Sequence, residues 1–101
     1  MVADPAVYAQ TKATKGEIAS AFVGKNVRFD YGATVSYGAD GSYQYADSAR
    51  NQFSRGTYTI NDGQICVKFT NGASRCDDIL KDGNDFTLIN KSGHSYRLTF
   101  F

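Results

Sequence analysis

The chain has 101 residues, the size of one domain, and no apolar run in it approaches the ~18 residues of a transmembrane helix, so a single domain without a membrane-spanning helix is expected. The net charge is +1 with acids and bases interspersed, which leaves no phosphate-attracting field and excludes nucleic acid as the expected partner. Seven Tyr and 7 Phe beside 10 Gly and a single Pro favour strands joined by tight turns.

Residues 1–13 carry no periodic pattern and are expected to form a flexible arm, leaving 14–101 as a single β domain. Met1-Val2-Ala3-Asp4-Pro5 lacks the basic and apolar regions of a signal peptide and reads as an initiator methionine on an already processed N-terminus. From Thr14 the pattern turns helical. Thr14 and Glu17 stand three apart, the spacing of a capping box, and Ile18 and Phe22 fall on one face. Gly24 is placed to cap the C-terminus. One amphipathic helix over 15–23 is predicted, weakened by Gly16.

Beyond residue 26 the period becomes two. Val27 and Phe29, Val35 and Tyr37, Tyr43 and Tyr45, Tyr58 and Ile60, Ile65, Val67 and Phe69, Phe86 and Leu88, and Tyr96, Leu98 and Phe100 each alternate with polar neighbours, as half-buried strands do. Asp40-Gly41, Asp62-Gly63, Asn71-Gly72, Asp82-Gly83 and Ser92-Gly93 separate these runs as tight turns. The fold expected is mainly β: about eight short antiparallel strands in a meander, forming a curled sheet or small barrel, with one N-terminal helix covering an end or an open face.

Cys66 and Cys76 are the only cysteines. A three-residue loop Thr70-Asn71-Gly72 with Gly72 left-handed pairs Phe69 with Ala73. Counting outward, Val67 faces Arg75 and Cys66 faces Cys76 at a close, non-hydrogen-bonded pair. A cross-strand disulfide is therefore expected, on the face opposite Ile65, Val67 and Phe69. It implies an oxidising compartment.

No catalytic, cofactor-binding or metal-ligating residue is assigned. His94, the only histidine, reads as an exposed hairpin-tip residue. Asp77, Asp78, Asp82 and Asp85 lack the ligand spacing of an EF-hand and read as solvated turn residues. The stretch 28–58 is the suggestive one, since Tyr31, Tyr37, Tyr43, Tyr45 and Tyr58 occur there with Arg28, Arg50 and Arg55. Tyrosine and arginine offer large apolar area with polar ends, as binding surfaces require. A surface of Tyr37, Tyr43, Tyr45, Arg50 and Arg55 is the candidate, against the alternative that these tyrosines are core. The unpatterned segment Ala46–Gln52 is expected to be a mobile loop beside it.

The segments Asp40-Gly41-Ser42, Gly56-Thr57-Tyr58, Asp62-Gly63-Gln64-Ile65-Cys66-Val67 and Arg75-Cys76-Asp77 are similar to small exported bacterial domains of unknown function, in which a G-T-W/Y … D-G-x-I/L-C-V strand precedes a C-D strand. The resemblance implies export, a disulfide and a β fold, and carries no catalytic residue with it. Looser analogies run to periplasmic lysozyme inhibitors and to lipocalin-like barrels. The function expected is that of a non-enzymatic binding module of the bacterial envelope, periplasmic or secreted, a monomer or weak dimer. Its partner would be a protein or glycan, an envelope-attacking enzyme such as lysozyme being one target. A small-ligand carrier using the barrel interior and a structural or assembly protein are the alternatives.

Overall fold

The computed structural model describes residues 11–101. The helix α1 (Lys15–Phe22) is one residue shorter than expected, with Val23 as its cap. The Thr14 hydroxyl accepts from Glu17 N at 3.1 Å, and the Glu17 carboxylate accepts from Thr14 N at 2.9 Å, which closes the capping box. Gly24 follows at φ 74° and donates its N–H to Tyr37 O at 2.7 Å, so the chain turns into the sheet where a side chain would be strained.

The described residues form nine strands, of which the last eight follow the alternation: β1 (Thr11–Lys12), β2 (Lys25–Phe29), β3 (Thr34–Tyr37), β4 (Ser42–Asp47), β5 (Gln52–Asn61), β6 (Gln64–Phe69), β7 (Ser74–Asp82), β8 (Asp85–Ile89) and β9 (Ser95–Phe100). From β2 to β9 each strand pairs antiparallel with the next, and β9 pairs back onto β2 through Val27 and Phe100, Arg28 and Thr99, and Phe29 and Leu98. The sheet thus closes into an eight-stranded up-and-down barrel. Closure removes the edges that a curled sheet would leave open.

The arm expected over 1–13 is different at its end. Its residues 1–10 lie outside the described residues. Thr11 and Lys12 pair with Lys81 and Leu80 of β7, and buried Ala13 exchanges hydrogen bonds with Ile79 and Gly63. This segment is a ninth strand laid beside the long β7, below the point where β6 leaves it.

One end of the barrel is plugged. The first turn of α1 is held by the Asp62 carboxylate, which accepts from Lys15 N at 2.7 Å, and by the Glu17–Lys81 ion pair at 3.2 Å. Ile18 and Phe22 point inward and are fully buried. The Phe22 ring meets Tyr37, Phe86 and Phe100 edge-on at 5.0–5.4 Å. Above this plug the interior fills with Val27, Val35, Ile65, Val67, Ile79 and Leu88. An eight-stranded barrel is just wide enough for its side chains to do this.

The cysteine hairpin has the expected register. Val67 faces Arg75 and Cys66 faces Cys76, Gly72 is left-handed at φ 93°, and the disulfide forms across a Cα separation of 4.0 Å on the outer surface of the barrel.

Candidate functional site: the open mouth of the barrel

Opposite the plug, the ends of β2, β4, β6 and β8 and the starts of β5, β7 and β9 surround a cavity of about 380 Å³. Its walls are aromatic because inward positions near these strand ends carry rings: Phe29, Tyr45, Phe69 and Tyr96, with Tyr31 just past β2. Tyr31 and Tyr45 share a hydroxyl–hydroxyl hydrogen bond at 2.9 Å. Tyr96 stacks on Phe29 with ring centroids 5.7 Å apart and meets Tyr31 at 5.1 Å. Burial, then the neighbouring Tyr45 hydroxyl, pushes the Tyr31 phenol above its ordinary range, so it is a neutral donor and acceptor. Gln52, Ser54, Asn90 and Lys91 stand around the lip.

The floor is charged. Arg75 and Asp77 point inward from β7, because they share the parity of buried Ile79 while Cys76 faces out. Arg75 Nε donates to Asp77 Oδ2 at 2.9 Å, and Arg75 Nη2 to the Tyr43 hydroxyl at 3.4 Å. Asp77 is 2% exposed, and its Oδ1 has no hydrogen-bond partner. Burial pushes the Asp77 carboxyl up from its usual range more strongly than the Arg75 guanidinium pulls it down. Burial also works against the Arg75 charge, but Asp77 and then Tyr43 raise its pKa on balance. Burial pushes the Tyr43 phenol up to about 12.

Of the five residues of the sequence-derived surface, the structure brings three to this end. Tyr45 is a wall, and Tyr43 lies at the floor with its ring fully buried. Arg50 lies on the outer lip, its guanidinium 5.3 Å from the Tyr31 ring centre and 2.8 Å from Asp47. Tyr37 is core: its ring packs on Phe22, Tyr43 and Tyr58, and burial raises its phenol well above the ordinary range. Arg55 is exposed on the outer face of β5, across from Gln44, beside a separate groove with Phe53 and Asn71. The five therefore do not form one surface.

The segment expected to be a mobile loop is a closed turn. Asp47, buried at the end of β4, accepts from Arg50 N and Arg50 Nη1, and Asn51 takes a left-handed φ of 53° before β5 begins. His94 is an exposed hairpin-tip residue, 6.5 Å from the Tyr96 ring. The acidic cluster is not uniformly solvated, since Asp77 is interior. Among the described residues, no three His, Cys, Asp or Glu side chains are grouped to hold a metal ion.

Sequence reasoning missed Arg75, Asp77, Phe69 and Tyr96 as a group. A signal was present: pairing Arg75 with inward-facing Val67 already obliges the guanidinium to enter the barrel. Comparison with family models, curated proteins and solved structures finds no match to this chain.

Proposed function

We propose that this protein is a non-enzymatic binding protein of the bacterial envelope, periplasmic or secreted, which takes its ligand into the open mouth of the barrel. The observation that carries this reading is the 380 Å³ aromatic cavity with a half-buried ion pair, Arg75 and Asp77, as its floor. Its volume falls in the range of small-molecule sites, and its few convergent polar groups among rings are what such sites use for orientation. The disulfide supports a compartment outside the reducing cytosol. No helix among the described residues is long and apolar enough to cross a membrane.

The cavity favours the carrier form of this function over a flat protein-binding face, because Tyr37 and Tyr43 lie inside rather than on a surface. A larger partner would be held by a single protruding group inserted into the mouth. The test is a screen of mixed small molecules against the ¹⁵N-labelled protein. Amide shifts concentrated at Tyr31, Tyr45, Ser54, Asn90 and Tyr96 are expected. Shifts confined to the helix end or to the Phe53 groove would refute the reading.

A further inference from the structure

The mouth carries sharper information in a hydrogen bond it leaves unmade. Asp77 is among the residues that line the cavity and is 2% exposed, yet only one of its two oxygens meets a donor. A buried carboxylate oxygen without a donor keeps its full desolvation penalty, and folded proteins rarely leave one so. Beside it stands a guanidinium with five N–H groups, one directed to Asp77 and one to Tyr43. The floor therefore offers an unfilled acceptor next to a donor-rich group.

Charge narrows what fits. A cationic ligand drawn to Asp77 would lie against Arg75, with Lys91 at the lip adding a second positive charge. An anion drawn to Arg75 would lie against the bare Asp77 oxygen. Burying either beside its like charge is unfavourable. A pair of hydroxyls meets neither objection, since one donates to the carboxylate and its neighbour accepts from the guanidinium. The half-buried walls of Tyr31, Tyr45 and Tyr96 suit the C–H face of a ring carrying those hydroxyls.

We propose that the mouth binds a neutral polyhydroxylated ring, that is, an uncharged sugar unit, with Asp77 Oδ1 accepting from one hydroxyl and Arg75 donating to the next. This rests on the mouth being the binding site. Calorimetric titration distinguishes the two claims. The probes are glucose, galactose, N-acetylglucosamine and its linear trimer, with glucosamine, glucuronate and cyclohexanol as cationic, anionic and nearly apolar rings of similar size. Each is run on the wild type, on Asp77→Asn, and on Ser54→Trp, which fills the mouth; Tyr45→Ala, which removes a wall, replaces Ser54→Trp if that variant does not fold.

At least one neutral sugar is expected to bind the wild type, to lose about tenfold or more in affinity with Asp77→Asn, and to lose binding with the mouth variant. Preference for the trimer over the monomer would identify a glycan, and equal affinity a free sugar. A neutral sugar that binds Asp77→Asn as well as the wild type would overturn the role of Asp77 and with it the proposal. Binding of glucosamine, glucuronate or cyclohexanol alone, lost in the mouth variant, would leave the mouth a binding site and overturn the sugar. If no probe distinguishes the wild type from the mouth variant, both claims fall.

Discussion

Asp77 and Gly56 both depart from an ordinary packed interior, the one by burying a carboxylate and the other by leaving no room for a Cβ. At Asp77, burial raises the carboxyl pKa in the folded state, so the folded chain takes up that proton more readily than the unfolded one. Stability from this group is therefore lost as pH rises through the folded-state pKa and regained as pH falls toward the unfolded value. Asp77→Asn removes the titration. Urea midpoints between neutral pH and about pH 4 should show the wild type gaining stability relative to the variant on acidification; a relative loss would mean that the Arg75 attraction outweighs burial. Gly56 sits on β5 between Tyr43 of β4 and Phe69 of β6, whose rings meet across it at 5.8 Å. A Cβ there would strike the Lys68 carbonyl. Gly56→Ala is expected to destabilise by at least about 1 kcal/mol in denaturant unfolding, and a neutral effect would show that the two strands part freely. Neither role is legible locally. Gly56 stands in Gly56-Thr57-Tyr58 with no signal of a close backbone approach, and Asp77 reads as one acid in an acidic run, until cross-strand partners are known.

At the scale of elements, the helix and the cysteine hairpin were both legible in sequence for local physical reasons. The capping box Thr14-Glu17 and the pair Ile18 and Phe22 specify a helix start and an apolar face within a few residues. What they leave unspecified is the target of that face, which is the barrel end formed by Tyr37, Phe86 and Phe100. Phe22→Ala should remove the central ring of this plug and cost about 4 kcal/mol, measured by guanidinium unfolding; a loss below about 1 kcal/mol would mean the helix is not a structural plug. The hairpin register follows from one left-handed glycine and a count of residues, and it places the disulfide on the outer surface. Replacing Cys66 and Cys76 together with alanine should cost about 3 kcal/mol through the freed unfolded chain. Equal stability of the variant and the oxidised wild type would contradict that role. The turn within Ala46–Gln52 is not legible in sequence, because it is held by one carboxylate, Asp47, capping a single turn, and this has no periodic signature.

At the scale of the molecule, alternation and evenly spaced turns specify a meander, but closure depends on β2 meeting β9 across most of the chain. A period-two pattern is the same in an open sheet and in a barrel, so closure was not legible. Closure also creates the site. It makes Tyr31, Tyr43 and Tyr45 the lining of an interior, sends Arg55 away from them, and adds Phe69, Arg75 and Tyr96 from the other half of the chain. The plug at one end and the open cavity at the other make the barrel a cup.

The most direct test of this cup is native mass spectrometry of the chain expressed with an export signal and purified gently from periplasmic extract, beside the same preparation of Ser54→Trp. The expected result is an oxidised cysteine pair in both proteins and a small-molecule adduct on the wild type alone. A wild type as bare as the variant, or an adduct carried equally by both, would contradict a ligand held in the mouth.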